Sequence, residues 1–253
     1  MNQPQFHDHF SGIAGEYALF RPRYPATLFE YLASIVSEHN LAWDCATGTG
    51  QAAVALAQHF NHVIATDASE EQITNAELHP RVEYRVAQAT ASDLVNQSVD
   101  LITVAQALHW LDLPAFYQEV RRISKPEGFL AVWAYGKMQF DVPEIRSVLG
   151  HFYYDTVGPY WPAERHHIEE GYQTLDFPFA ELEAPAFTIE AAMILEELTG
   201  YIRTWSATQR YQKDQGKDPL PGLAWQIEKA WGDPELPITV YWPLTLRVGR
   251  ITL

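Results

Sequence analysis

Residues 44–53, DCATGTGQAA, place an acid before two glycines that lie one residue apart in a run of small side chains. A turn with so little side-chain bulk lets a ligand approach the backbone closely. A second acid, Asp67, lies 19 positions after Gly48. A carboxylate that binds ribose is expected about 20 residues after such a turn. The spacing therefore predicts a site for a ribose-bearing cofactor.

Two classes of cofactor remain open at this point. GTGQAA satisfies the G-x-G-x-x-A form of the dinucleotide-binding pattern, which keeps an NAD-dependent oxidoreductase as an alternative. Asp44, however, would repel a pyrophosphate and attract a cation. The turn also follows forty residues that contain a predicted helix, whereas NAD-binding domains often open on their first strand. S-Adenosylmethionine, which carries a ribose together with ammonium and sulfonium charges, fits the pattern better.

Strands and helices alternate around this turn. Apolar stretches predict strands at 41–46, 62–67, 82–87, 98–108 and 129–136. Apolar residues at helical spacing and capping residues predict helices at 26–39, from Gln51, at 69–78 with Ser69 as N-cap, and at 113–124. The continuous apolar run within 98–108 indicates a buried central strand. This order is typical of a doubly wound parallel α/β sheet.

The alternation stops after Gly136. Residues 137–180 are rich in Pro, Tyr, His and Trp, and we expect irregular helical structure there. A strand is predicted at 179–194, a helix or helix pair at 195–216, a helix at 221–232 and a long strand at 238–253. We therefore divide the chain into an N-terminal lid and first helix (1–40), a cofactor-binding core (41–136), a substrate-side strand and helical insertion (137–235) and a terminal strand that completes the sheet (236–253).

Composition limits the partners. The 253 residues carry a formal net charge of -15, which argues against binding to nucleic acid or to an anionic membrane. No apolar run reaches the roughly 18 residues of a membrane span, and the first residues do not resemble a signal peptide. Cys45 is the only cysteine. We therefore expect a cytoplasmic protein in a reducing compartment, present as a monomer or weak homodimer.

The motifs resemble those of the class I, type 11 family of S-adenosylmethionine-dependent methyltransferases along almost the whole chain. The family's first motif, D/E-x-G-x-G-x-G, appears as DCATGTG at 44–50, with Ala46 in place of the first glycine. The later motifs appear as ATDAS at 65–69, AQAT at 87–90 and VDLITVAQALHWLD at 99–112. The resemblance implies a seven-stranded, mainly parallel sheet of the Rossmann-like methyltransferase type with a helical insertion or lid. It also implies S-adenosylmethionine as methyl donor and S-adenosylhomocysteine as product.

The resemblance further implies which residues contact the cofactor. They follow successive strands of the sheet: Asp44, Ala46, Thr47, Gly48, Gly50, Asp67, Ala68, Gln88, Ala89, Thr90, Ala105 and Gln106. AQAT has lost the acids of the usual G-D-A-E motif. A non-catalytic protein that binds S-adenosylmethionine is therefore a second alternative.

A closer resemblance is to the small-molecule subgroup that includes trans-aconitate methyltransferase. It rests on FRPRYP at 20–25, ALHW at 107–110, TWSATQRY at 204–211 and WPLTLRVGR at 242–250. It implies that the leader folds over the cofactor and that a small acceptor is bound by Tyr17, Arg21, Tyr24, Trp110, Tyr135, Trp205 and Arg210. Because the neighbouring Arg21 and Arg23 suit a carboxylate, we expect O-methylation of a carboxylate metabolite.

His109 follows the fourth strand, on the side where this fold holds the methyl donor, and is the candidate catalytic residue. A carboxylate acceptor is already ionised at pH 7, so His109 would assist in orienting it. A phenol or an amine would need His109 as a base. The histidines at 7 and 9 and at 166 and 167 follow no metal-ligand pattern, and we expect no metal.

Overall fold

A single mixed sheet organises the structure, a computed structural model that describes residues 21–252. The strands are β1 (Leu41–Cys45), β2 (His62–Asp67), β3 (Val82–Val86), β4 (Val99–Ala105), β5 (Ser124–Tyr135), β6 (Ala180–Leu182), β7 (Phe187–Met193) and β8 (Ile238–Arg250). Five parallel strands lie in the spatial order β3-β2-β1-β4-β5, and β8 pairs antiparallel with β5.

The last position of the sheet is shared by two short strands. β6 pairs with residues 248–250 of β8 and β7 with residues 238–244, both on the edge opposite β5. The eight strands thus fill seven positions, and the predicted seven-stranded, mainly parallel sheet is confirmed. The single strand expected at 179–194 is divided. Pro185, which has no N–H to donate to a ladder, lies in the gap between β6 and β7.

Nine α-helices occur among the described residues. They are α1 (Ala26–Ser34), α2 (Gln51–Leu56), α3 (Glu70–Thr74), α4 (Leu113–Ile123), α5 (Pro143–His151), α6 (Arg165–Glu169), α7 (Leu195–Arg203), α8 (Ser206–Gln215) and α9 (Leu220–Trp231). Shorter helical turns lie at Leu108–Trp110, Phe152–Thr156 and Gly158–Tyr160. Helices α5 to α9 form the predicted helical insertion between β5 and β8.

Two of the early helices are shorter than their sequence patterns. The helix expected at 69–78 ends at Thr74, although Ser69 caps it as predicted by accepting the Gln72 N–H. The helix expected at 26–39 ends at Ser34, and the His39 ring contacts the Ala33 carbonyl oxygen at 2.9 Å. A side chain thus satisfies a carbonyl at the helix end, which is how such ends are stabilised.

Apolar layers cover both faces of the sheet. On one face, α1, α2 and the insertion helices pack around Trp133. On the other face, Phe116 and Ile123 of α4 pack around Trp43. Both tryptophans are fully buried. Residues 99–104 of β4 are all buried, as their continuous apolar run predicts for a central strand.

Candidate active site

Asp44 lies on β1 beside Thr103 of β4, where the winding of the sheet changes direction. Its buried carboxylate accepts hydrogen bonds from the hydroxyls of Thr47 (2.5 Å) and Thr103 (2.7 Å). Burial raises the pKa of Asp44 to about 6. The hydrogen bonds from the two hydroxyls lower this pKa, and the negative charge of Asp67 raises it further. Doubly wound sheets bind ligands at this switch point. Being enclosed, Asp44 acts on a ligand through its charge and by fixing Thr47.

The glycine turn follows Asp44 and uses left-handed backbone three times. The φ angle is +55° at Ala46, +58° at Gly48 and +85° at Gly50. Ala46 stands where the family motif has glycine, and a left-handed alanine costs about 1–2 kcal/mol. A Cβ atom added to Gly48 would meet no neighbour closer than 3.7 Å, whereas one on Gly50 would lie 2.1 Å from Tyr84 Oη. The turn is therefore open at Gly48 and closely packed at Gly50.

Asp67, at the end of β2, holds this turn from the side. Its Oδ2 accepts the Gly48 N–H (2.9 Å), and its Oδ1 accepts the Ser69 N–H (2.9 Å). Each carboxylate oxygen can accept a further hydrogen bond, and Asp67 is partly exposed beside the exposed Ala68. The geometry therefore suits both the predicted ribose contact and a structural role in shaping the turn.

The loop after β3 contains the predicted adenine contacts. A bridge between Gln88 and Ala91 closes this loop. Gln88 is exposed, Thr90 is partly buried and Ala89 packs against the apolar layer around Trp43. The structure thus offers adenine a small apolar surface and no acidic side chain from AQAT.

The end of β4 is tied to β5 by Gln106, which directly follows Ala105. The Gln106 N–H donates to Trp133 O (2.8 Å), and its side-chain Nε2 donates to Tyr135 O (3.3 Å). Its φ angle of +59° is strained for a non-glycine residue. The two hydrogen bonds hold this strained backbone at the sheet edge where Asp44 and Asp67 also lie.

Three predicted acceptor-binding residues meet at the end of β5. The guanidinium of Arg21 donates from Nη1 to Tyr135 Oη (2.7 Å) and lies 5.4 Å from the centre of the Tyr201 ring. The Tyr24 ring packs 6.2 Å from that of Tyr135 and edge-on to Trp133. Tyr17 lies outside the described residues.

The two arginines of FRPRYP diverge. Arg23 is exposed and pairs with Glu77 at 3.0 Å, away from Tyr135, so the structure does not bring Arg21 and Arg23 together on one ligand. The side chain of Arg210, on α8, makes no hydrogen bond, ion pair or ring contact with residues 21–252. Its role in binding an acceptor stays a prediction.

Trp205, between α7 and α8, belongs to a group of rings that we call the aromatic cluster: Tyr153, Trp161, Tyr201 and Trp205. Each of the other three rings lies within 6.0 Å of the Trp205 ring. Arg21 connects this cluster to Tyr135 through its contact with Tyr201. A continuous series of contacts therefore runs from Gln106, through Tyr135 and Arg21, into the helical insertion.

His109 lies in the short helix after β4 and packs against the ring of Trp110 at 4.7 Å. Its Nδ1 is 3.0 Å from the hydroxyl of the buried Tyr172. Burial, followed by the positive charges of Arg165 and His167, lowers the pKa of His109 to about 3. The ring is therefore neutral at pH 7 and is a weak base, since a general base works best with a pKa near the operating pH.

The sequence patterns do not indicate two residues that contact this region, Tyr172 and Arg165. Tyr172 contacts His109 across 63 positions, and Arg165 packs on Trp161 at 4.8 Å. Both lie in the irregular stretch 137–180, where composition gives no spacing from which a partner could be found. Tyr201 was detectable, because it lies four residues before Trp205 on the same helical face.

The chemistry of the turn fits S-adenosylmethionine better than a dinucleotide. A pyrophosphate placed over the open Gly48 would meet the negative charges of Asp44 and Asp67, whereas cationic groups of a ligand are attracted by them. Asp67 would hold the ribose, the loop at 88–90 the adenine, and the turn at 46–50 the amino-acid portion.

Comparison with known proteins identifies the family. A family model described as a methyltransferase domain matches residues 43–132. A Dictyostelium discoideum protein named as a methyltransferase is 37% identical, with 97% of this chain and 96% of that protein covered. A solved structure from Anaeromyxobacter dehalogenans, named as a type II methyltransferase, has a TM-score of 0.87 and 44% identity, covering 91% of this chain and 98% of its own. CRG1 of Saccharomyces cerevisiae is 25% identical over 81% of this chain and 83% of its own length. That protein is named as an S-adenosylmethionine-dependent methyltransferase.

The chain therefore belongs to the methyltransferase family. It is an S-adenosylmethionine-dependent methyltransferase, as the motif resemblance predicted, and the oxidoreductase alternative is set aside.

The described residues contain neither a cluster of metal-ligating side chains nor a helix suited to a membrane. Within 21–252, no group of three or more His, Cys, Asp or Glu side chains is arranged to hold a metal ion. No helix in the same part of the chain combines the length and apolar character that crossing a membrane requires.

The raised pKa of Asp44 predicts opposite pH effects on stability and on cofactor affinity. The native state keeps the Asp44 proton between the unfolded value of 3.8 and about 6, so rising pH through this window destabilises the fold by about 3 kcal/mol. The ionised carboxylate attracts the cationic cofactor, so affinity rises as pH passes through about 6, the native pKa of Asp44. We expect wild type to be less stable than Asp44→Asn at pH 7 but to bind S-adenosylmethionine more tightly.

Urea unfolding and calorimetric titration at several pH values measure both effects. Near pH 4 Asp44 is neutral in native wild type, so cofactor affinity should match that of Asp44→Asn, and the pH-dependent difference in stability should vanish as pH falls below the unfolded pKa of 3.8. Parallel pH profiles of wild type and Asp44→Asn would contradict the assignment.

Proposed function

We propose that the enzyme transfers the methyl group to a carboxylate oxygen of a small acid, as the resemblance to the trans-aconitate subgroup suggests. The observation that carries this proposal is the position of Arg21. Its guanidinium is partly buried between Tyr135 and Tyr201, next to the strand end that holds Gln106. A cation among aromatic rings suits an acceptor with a negative charge and an apolar body.

The lowered pKa of His109 supports the same kind of acceptor. S-Adenosylmethionine supplies an electrophilic methyl group when it is bound. The residues of this chain have to orient the acceptor and exclude water. A carboxylate needs no deprotonation at pH 7, so a neutral His109 held by Tyr172 can orient the acceptor without acting as a strong base.

We also propose that the acceptor is a free small molecule, and that neither nucleic acid nor a membrane is a partner. The net charge of -15 supports this. We further propose that the protein is a monomer or a weak homodimer and that methyl transfer needs no metal. Sedimentation tests the assembly state, and activity in the presence of EDTA tests the metal requirement.

Replacement of Asp67 should separate cofactor binding from the rest of the fold. In Asp67→Ala the ribose loses its acceptor, and the N–H groups of Gly48 and Ser69 lose theirs. We expect S-adenosylhomocysteine to bind about 100-fold more weakly, since charge-assisted hydrogen bonds contribute about 1.5–3 kcal/mol each. Calorimetric titration, with NAD in parallel, measures the effect. Asp67→Asn, which keeps one acceptor oxygen, should lose about 10-fold. Equal affinity in all three proteins would show that Asp67 does not contact the ligand.

The acceptor class requires a screen of its own. Purified enzyme and methyl-labelled S-adenosylmethionine should transfer label to small carboxylic acids, and the product should be a base-labile methyl ester. Transfer to amines or to nucleic acid, with no transfer to any acid, would overturn the carboxylate proposal.

A further inference from the structure

Arg165 is a partly buried arginine that contacts no carboxylate directly. Among residues 21–252 its guanidinium forms no ion pair; its Nε donates to Tyr153 Oη at 3.1 Å, and Glu169 lies beyond that hydroxyl. By contrast, Arg85, Arg122 and Arg247 each pair with a carboxylate. The chain has 32 Asp and Glu residues against 17 Lys and Arg. Arg121 and Arg210 are also partly buried without a carboxylate, so what distinguishes Arg165 is its place beside a cavity and the aromatic cluster.

The guanidinium of Arg165 is held in one orientation. It stacks 4.8 Å from the centre of the Trp161 ring, and Tyr153 Oη, which accepts its Nε–H, donates in turn to Glu169. The described residues therefore fix Nε and leave the two terminal nitrogens for a ligand. Two parallel N–H groups match the two oxygens of a carboxylate, which is the geometry at which arginine surpasses lysine.

Arg165 also contacts the aromatic cluster that Arg21 reaches, since its guanidinium stacks on Trp161, whose ring lies 5.5 Å from that of Trp205. Burial raises the pKa of Tyr201 to about 12, and the charges of Arg21 and Arg165 both act against this rise. Arg165 likewise contributes, after burial, to the lowered pKa of His109. The positive charge of Arg165 therefore acts on both Tyr201 and His109.

A cavity of about 290 Å³ lies beside this residue, lined in part by Tyr153, Trp161, His166 and Glu169. This volume is slightly below the roughly 300 Å³ at which ligand pockets begin, so it admits only a small acid or part of one. The aromatic wall suits its apolar or flat body.

From this geometry we propose that Arg165 binds a carboxylate of the acceptor, across the aromatic cluster from Arg21. The inference rests on the proposed function and deepens it. A substrate with at least two carboxylates could place one at Arg165 while another receives the methyl group.

The test uses the enzyme loaded with S-adenosylhomocysteine and titrated with benzoate, citrate and trans-aconitate, each compared with its uncharged methyl ester. We expect at least one of the acids to bind, its ester to bind more weakly, and Arg165→Met to weaken the acid about 10- to 100-fold. Arg165→Lys should recover part of the loss. Arg146→Met, at an exposed position on α5, removes the same charge and should change affinity less than about threefold.

The outcomes distinguish the proposed function from the proposed role of Arg165. If S-adenosylhomocysteine itself does not bind, the proposed function fails. If it binds but no acid of the panel binds wild type, the carboxylate acceptor of the proposed function fails together with the role of Arg165. Equal acid affinity in wild type and Arg165→Met, or equal losses in Arg165→Met and Arg146→Met, would overturn it as well.

Discussion

Gly50→Ala should lower the free energy of unfolding by about 2–4 kcal/mol and weaken S-adenosylhomocysteine about 30-fold. A methyl group at this left-handed position would lie 2.1 Å from Tyr84 Oη and 2.8 Å from Cζ of the same ring. The Tyr84 hydroxyl donates to Glu77 O at 2.6 Å. The ring therefore has to move and break that bond, or the turn itself has to move. The first change costs the Tyr84–Glu77 hydrogen bond, and the second distorts the backbone that leads from Asp44 into α2.

Gly216→Ala is the matched control for this substitution. Gly216 ends α8 with a φ of +63°, and a Cβ atom there would meet nothing within 4 Å. Gly216→Ala should lower the free energy of unfolding by about 1–2 kcal/mol, the cost of a left-handed alanine, and leave cofactor affinity unchanged. Tyr84→Ala, combined with Gly50→Ala, should show a loss smaller than the sum of the two single losses, since the clash is then absent. If Gly50→Ala and Gly216→Ala have equal effects, contact with Tyr84 does not restrict the turn.

The parts of the site that could be predicted are those fixed by local spacing. Asp44, Gly48 and Gly50 belong to one turn, Asp67 follows the next strand, and parallel strands bring such carboxyl ends to one edge. The same reasoning placed Ser69 as a cap and β4 at the centre of the sheet. These features depend on hydrogen bonds over a few residues or on a continuous apolar run, both of which can be read from the order of residues.

The acceptor side could not be predicted in this way. The contact of Arg21 with Tyr135 spans 114 positions, and that of His109 with Tyr172 spans 63. Nothing local specifies such partners, because they depend on how the insertion packs on the finished sheet. Arg21 and Arg23 share one proline-rich stretch and yet separate, one inward and one towards Glu77. Closeness in the sequence therefore did not predict that the two arginines contact different partners.

The terminal strand also contributes to the site through Arg247, which no sequence pattern indicated. Its guanidinium is buried and pairs with both oxygens of Glu181 at 2.9 Å. The Nη1 group donates to the carbonyls of Tyr172 (2.8 Å) and Leu175 (3.0 Å). Arg247 therefore fixes the segment that carries Tyr172, a residue with a left-handed φ of +60°, and through Tyr172 it positions His109.

Arg247→Met should accordingly destabilise the protein by about 3–5 kcal/mol, because Glu181 and two carbonyls lose their partner together. Glu181→Gln should cost about 1 kcal/mol, since Glu181 is 41% exposed and the carbonyl bonds remain. Urea unfolding measures both losses. In the milder variant, NMR titration should still show the lowered pKa of His109 at about 3. In Arg247→Met, if it folds, loosening of Tyr172 admits water and the pKa of His109 should rise towards 6.5. Similar losses of stability in the two variants would show that the carbonyl contacts of Arg247 add little. An unchanged His109 pKa in a folded Arg247→Met would show that Arg247 does not position the histidine.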